Sequence, residues 1–107
     1  MTSTISEAEL QSSILDLARR CGWLAFHVRD SRKSTGPGFP DLVLVHKTTG
    51  RVIWAELKSE KGRVTAEQAE WLTALRAGGH TAGVWRPRHW DTGRIQAALL
   101  AERQVAA

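Results

Sequence analysis

The sequence has a single cysteine, Cys21, which excludes an internal disulfide framework and any cysteine-rich zinc site. Long apolar runs are missing as well: the longest is about five residues, as at Ala97 to Ala101, against the roughly 20 that span a bilayer. No apolar stretch near Met1 has the form of a signal peptide, so an intracellular protein is expected. Three common catalytic signatures are also lacking. There is no G-X-X-X-X-G-K-[ST] phosphate loop, no G-X-S-X-G elbow and no H-E-X-X-H metal helix.

What remains is an ordinary globular composition, 42% apolar and 24% charged, over 107 residues, which predicts a single domain spanning 1–107. Lysine and arginine number 15 against 11 acidic residues, for a net charge of +4. The excess is local. Residues 27–63 hold eight basic groups (Arg29, Arg32, Lys33, Lys47, Arg51, Lys58, Lys61, Arg63) against four acidic ones, and the flanking segments nearly balance. Such an excess is either a solvated surface or a site for an anion such as nucleic acid.

Ser6-Glu7-Ala8-Glu9 has the form of a capping box and opens a helix whose stripe is Leu10, Ile14, Leu17 and Cys21, ended by Gly22. Trp23 to Arg29 alternates as a strand, with Leu24, Phe26 and Val28 on one face and Ala25, His27 and Arg29 on the other. A Gly/Pro-containing loop, 30–39, leads to Pro40-Asp41 and a strand over Leu42 to His46. Gly36 and Gly38 precede that strand rather than a helix, so they do not suggest a nucleotide cradle.

After a short turn, a strand runs from about Arg51 to Lys58. Thr65-Ala66-Glu67-Gln68 is a second capping box, starting a helix that turns Trp71, Leu72 and Leu75 inward. A strand from Thr81 stops at Pro87, and a last helix from near Asp91 buries Ile95 and Leu99, with Ala98 a further candidate. The order is αβββαβα, an α/β pattern. Trp23, Trp71 and Trp85 are expected in the core, Trp54 on the face of Glu56, and Trp90 against the last helix. His46, His80 and His89 show no ligand spacing and are expected at the surface, and His27 is expected to pack within its strand.

Chemistry concentrates in Pro40-Asp41 and Glu56-Leu57-Lys58. If Thr48-Thr49 form the turn, Asp41 pairs with Glu56; if Thr49-Gly50 do, it pairs with Lys58. Both registers put Asp41, Glu56 and Lys58 on one face, with facing Cβ atoms roughly 5 Å apart. A one-residue slip would break the arrangement. The plain alternative is an exposed hairpin with a cross-strand ion pair. Two carboxylates suit a hard cation such as Mg²⁺, which keeps waters and takes phosphate oxygens, with the Leu57 carbonyl as a further ligand. Lys58 would orient or deprotonate the attacking water, or neutralise charge in the transition state.

The order PD…ELK resembles the PD-(D/E)XK nuclease superfamily, and GPGFPDLVLVHKTTGRVIWAELKSEKGRVTAEQAEWLTALRAGG is similar to a VRR-NUC domain. The resemblance spans about 6–86. It implies a restriction-endonuclease-like αβββαβ core, with a mixed central sheet flanked by helices and a C-terminal helix added. It also implies Asp41 and Glu56 as metal ligands, Lys58 as catalytic lysine and Gln68 beside the site. The capping box alone would also account for Gln68, and both roles can hold at once.

An acidic residue from the first helix often joins such sites. Glu7, continuing the core stripe backwards, is favoured over Glu9, which the capping box explains. Arg29, Arg32, Lys33, Lys61 and Arg63 then become phosphate contacts. The resemblance implies a Mg²⁺-dependent DNA endonuclease, with Mn²⁺ substituting, working as a homodimer in the cytoplasm (the host's, if phage-encoded) on branched DNA such as Holliday junctions. The alternatives are a duplex nickase or single-strand nuclease without junction preference, and a non-catalytic nucleic-acid-binding module.

Overall fold

The structure, a computed structural model, describes residues 5–28 and 36–101. Its elements run α1 (Glu7–Arg20), β1 (Trp23–His27), β2 (Leu42–His46), β3 (Val52–Leu57), α2 (Ala66–Ala77), β4 (Thr81–Trp85), α3 (Pro87–Asp91) and α4 (Arg94–Leu100). One mixed sheet has the order β1-β2-β3-β4, antiparallel across its first two pairings and parallel between β3 and β4. The parallel pair is joined through α2, as the connection between parallel strands requires. None of the described helices is long and apolar enough to cross a membrane.

Both capping boxes form. Ser6 Oγ accepts from Glu9 N at 3.1 Å while Glu9 accepts from Ser6 N at 2.9 Å. Thr65 Oγ1 and Gln68 Oε1 do the same for α2, at 3.1 and 2.9 Å. Each box satisfies two N–H groups that the first helical turn would otherwise leave unpaired.

The core lies on one face of the sheet. Leu10, Ile14 and Ala18 of α1 and Ile95 and Leu99 of α4 bury Trp23, Leu42, Leu44, Ile53, Ala55 and Leu57. The fully buried α1 stripe is therefore 10-14-18, and the expected Leu17 and Cys21 sit half-buried at its margin. On β1 the alternation holds, but Trp23, Ala25 and His27 face inward while Leu24 and Phe26 are 58% and 65% exposed.

Two further expectations change. The chain after β4 folds into two short helices rather than one, because Pro87 fits the first turn of a helix, where its missing N–H costs nothing. His46 is not a surface residue: half-buried, it contacts the Cys21 carbonyl through Nε2 at 2.9 Å and meets Trp23 edge-on. His89 is half-buried too, whereas His80 is exposed.

The β2–β3 register is settled by the turn. Leu42 faces Ala55 and Val45 faces Val52, which places Asp41 opposite Glu56. The connection is wider than a two-residue loop. His46 N bonds Arg51 O at 2.8 Å across residues 47–50, with Gly50 at φ 73°. His46 Nδ1 accepts from Thr48 N and Thr49 N, fixing the turn from within.

Candidate metal and nucleic-acid site

Because Leu42, Leu44, Ala55 and Leu57 point into the core, alternation sends Asp41, Trp54, Glu56 and Lys58 to the opposite face. Asp41 is held from both sides. Its carbonyl accepts from Val28 N on the β1 side at 2.8 Å, and its Oδ2 accepts from Leu57 N on the β3 side at 2.8 Å. Upstream, Gly38 adopts φ +87° against the start of α2, where a Cβ would stand 2.5 Å from the backbone carbon of Glu67. Trp71 Nε1 bonds the Pro37 carbonyl at 3.1 Å, and Phe39 packs edge-on between Trp71 and Trp54. The glycine-containing loop thus delivers Asp41 to its place by docking on α2.

Glu56 is 2% exposed. Gln68 Nε2 donates to its Oε2 at 2.8 Å, and Lys58 Nζ stands 4.0 Å from the same oxygen. The same Gln68 side chain caps the helix through Oε1 and reaches Glu56 through Nε2. The other carboxylate oxygen of Glu56, Oε1, is buried without a hydrogen-bond partner. Burial, and next the negative charge of Asp41, push the Glu56 carboxyl up from its ordinary 4.5 to about 8; Lys58 opposes this and Glu7 adds to it. Two ionised carboxylates are acceptors only, so Asp41 and Glu56 side by side call for a proton or a cation between them.

Among the described residues, no group of three or more His, Cys, Asp or Glu side chains could hold a metal ion. The donor set is a pair of carboxylates with a backbone carbonyl at Leu57. That set fits a hard divalent cation that keeps several waters, and it does not fit zinc. The orphaned Oε1 and the mutual repulsion of the pair are what such a cation would relieve.

The remaining candidates are placed as follows. Glu7 is exposed at the first residue of α1, in helical phase with Ile14 and Ala18, and its charge is felt at Glu56. Glu9 is engaged by Ser6, which holds its carboxyl below the ordinary range. Lys61 and Arg63 are exposed on the loop after Lys58. Arg29, Arg32 and Lys33 lie outside the described residues. His27 faces the core side of the sheet, away from Asp41 and Glu56. Trp54 shares their face, half-buried, with its Nε1 unpartnered.

Sequence reasoning missed Arg86. Its Nη1 bonds the carbonyls of Ser59, Glu60 and Gly62 at 2.8, 3.2 and 2.8 Å, pinning the loop that carries Lys61 and Arg63. No local signal marks it, because its partners lie about 25 residues away in the chain.

A mixed four-stranded sheet with flanking helices, bringing two carboxylates and a lysine together on one face, defines a nuclease-like α/β domain. A sequence profile of the VRR-NUC domain matches residues 2–88, and the chain belongs to that family. Among solved structures it is similar to a VRR-NUC domain protein, at 20% identity and TM-score 0.62, covering 89% of this chain and 90% of the other. It is also similar to Archaeoglobus fulgidus Hjc, a Holliday junction resolvase from an archaeal hyperthermophile. That match has 24% identity and TM-score 0.52, over 75% of this chain and 68% of the other. A comparison with curated protein sequences gave no match.

Proposed function

We propose that the domain is a metal-dependent endonuclease of the PD-(D/E)XK type that hydrolyses DNA phosphodiester bonds, with branched DNA such as Holliday junctions as its preferred substrate. The observation that carries this reading is the β2–β3 register, which sets Asp41 opposite buried Glu56, with Lys58 Nζ 4.0 Å from the latter. Likeness of fold to a protein described as a Holliday junction resolvase supports the choice of branched DNA.

Asp41, Glu56 and the Leu57 carbonyl are the residues that would hold Mg²⁺, or Mn²⁺ in its place; the cation supplies Lewis-acid polarisation of the scissile phosphate. The chain's own groups do the rest. Gln68 fixes Glu56 through Oε2 and leaves Oε1 free toward the site. Lys58 orients the attacking water and offers its ammonium to the phosphoryl oxygens as negative charge builds on them. Glu7 completes the acidic rim from α1. Lys61 and Arg63, with Arg29, Arg32 and Lys33, contact phosphates on either side of the cut bond. One site per chain cannot cut two strands symmetrically, so a cytoplasmic homodimer is the working form.

The test is cleavage of a four-way junction, a flap and a plain duplex, with and without EDTA, by the parent and by Asp41→Ala, Glu56→Ala and Lys58→Ala. Each substitution is expected to lower the rate by about 10³-fold or more, about 4 kcal/mol of transition-state stabilisation. Variants that cut as well as the parent, or cutting indifferent to EDTA, would overturn the assignment. Equal rates on junction and duplex would reject the branched-DNA preference alone.

A further inference from the structure

A concavity at the free edge of β4 takes no part in the chemistry above. It encloses about 340 Å³ between α2, β4, α3 and α4, and is lined by Arg76, Arg94 and His89 around Gly83 and Trp85, with no carboxylate. Arg76 is held in place. Its Nε donates to the Ala82 carbonyl on the strand edge at 2.7 Å, and a Cβ on Gly83 would stand 3.6 Å from its Nη2, so the guanidinium lies along the strand. With Nε engaged, its terminal amino groups have no partner among the described residues, and neither does the guanidinium of Arg94.

His89 adds a third donor. Its Nδ1 accepts from Arg86 N at 2.9 Å, which fixes the neutral ring with its proton on Nε2. Burial, then the charges of Arg88 and Arg94, hold that ring below its ordinary pKa. Nearby Arg88 is spent on Glu60, at 3.1 Å. Two arginines and a histidine therefore line this cavity with no carboxylate among its lining residues, Glu60 nearby being engaged by Arg88. Planar forks of N–H groups match the oxygens of a phosphate, two at a time.

We propose that Arg76, Arg94 and His89 form a phosphate-binding site at the β4 edge, separate from the Asp41–Glu56 centre. Val84, which also lines the cavity, pairs with Glu56 across the sheet, so the site lies one strand beyond the centre. Two sources share the chemistry: a phosphodiester of a nucleic-acid strand bound at the centre, or a free phosphate or mononucleotide. The first source rests on the nuclease reading; the phosphate site itself does not.

Two arms separate the sources, both using the whole chain. Arg94 is exposed and its side chain makes no hydrogen bond or ion pair among the described residues, so Arg94→Gln tests binding rather than folding. In the first arm, inorganic phosphate and then 5′-dAMP are titrated while the Trp85 indole and His89 ring signals are followed by NMR. Arg94→Gln is expected to weaken binding about tenfold.

In the second arm, binding of a four-way junction is measured in EDTA over a range of salt. Loss of one phosphate contact lowers the slope of log K against log[salt] by about 0.9, and Arg76→Gln/Arg94→Gln by about twice that. Arg19→Gln on α1 should change nothing. A response in the first arm alone assigns the site to a free phosphate, and one in the second to a nucleic-acid strand. No response in either overturns the proposal. If the parent fails to cut DNA yet either arm responds, the nuclease reading falls and this site stands.

Discussion

On one side of β2 and β3, Leu42, Leu44, Ile53, Ala55 and Leu57 lie no more than 2% exposed beneath α1 and α4. On the other side lie Val43, Trp54 and Glu56 with Asp41 just before β2, and α2 reaches this side through Gln68 and the Phe39–Trp71 contact. The two sides differ in how completely they are satisfied. Of the three buried side-chain atoms without a hydrogen-bond partner among the described residues, Glu56 Oε1 and Trp54 Nε1 belong to the outer face; the third, Gln96 Oε1, is on α4. Each such group costs on the order of 1–3 kcal/mol. The inner face supplies the stability, and the outer face spends part of it on a charged, under-satisfied surface. Strand alternation makes the division possible, since one backbone register fixes both faces together.

Truncation on each side is the most direct way to break this contrast. Leu44→Ala is expected to cost about 2–5 kcal/mol in urea unfolding, through lost burial and a residual cavity. Phe26→Ala, on the outer face at 65% exposure, is expected to stay within about 0.5 kcal/mol. Equal losses would mean that the outer face contributes to the core after all.

A somewhat smaller effect follows from Glu56. Its carboxyl titrates near 4.5 in the unfolded chain and near 8 in the folded one, so between those values the folded state holds more protons. Stability of the metal-free protein is therefore greatest below pH 4.5 as far as this group is concerned, falls as pH rises, and has lost this contribution above 8. Glu56→Gln, which stays neutral, is expected to flatten that decline and to exceed the parent at pH 8.5 by a few kcal/mol. Thermal unfolding in EDTA from pH 5 to 8.5 measures it. A parent whose melting temperature is level across that range would show that folding does not raise the Glu56 carboxyl.

Much of this division could be read in the residues. The capping boxes at Ser6 and Thr65, the alternation of β2 and β3, and the shared face of Asp41, Glu56 and Lys58 are all local patterns of period 2 or 3.6. Less legible was whatever depends on partners distant in sequence. Which register the hairpin adopts is decided by His46 gathering the N–H groups of Thr48 and Thr49. That Leu24 and Phe26 face outward follows from Trp23 occupying the core beside α4, where its Nε1 bonds the Leu99 carbonyl at 3.0 Å. Glu7 is in line with the stripe of Ile14 and Ala18, yet it is exposed because it is the first residue of α1. Pro87 both ends β4 and starts α3, and the residues alone signal only the first of these. Arg86, with three loop carbonyls on one Nη1, has no sequence signature at all.

The finest division within the outer face runs through one side chain. Gln68 caps α2 through Oε1 and holds Glu56 through Nε2, whereas Thr65 serves the cap alone. Thr65→Ala and Gln68→Ala should therefore cost a similar amount, about 1 kcal/mol each, as lost caps. They should differ at Glu56. Donation to a carboxylate favours its charged form, so removing the Gln68 amide drives the Glu56 carboxyl further up, while Thr65→Ala leaves it in place. NMR titration of the Glu56 side-chain carbon in the two variants reads this directly. If the two titrations coincide, Gln68 acts on the helix end alone, and Glu56 owes its position to burial between Asp41 and Lys58.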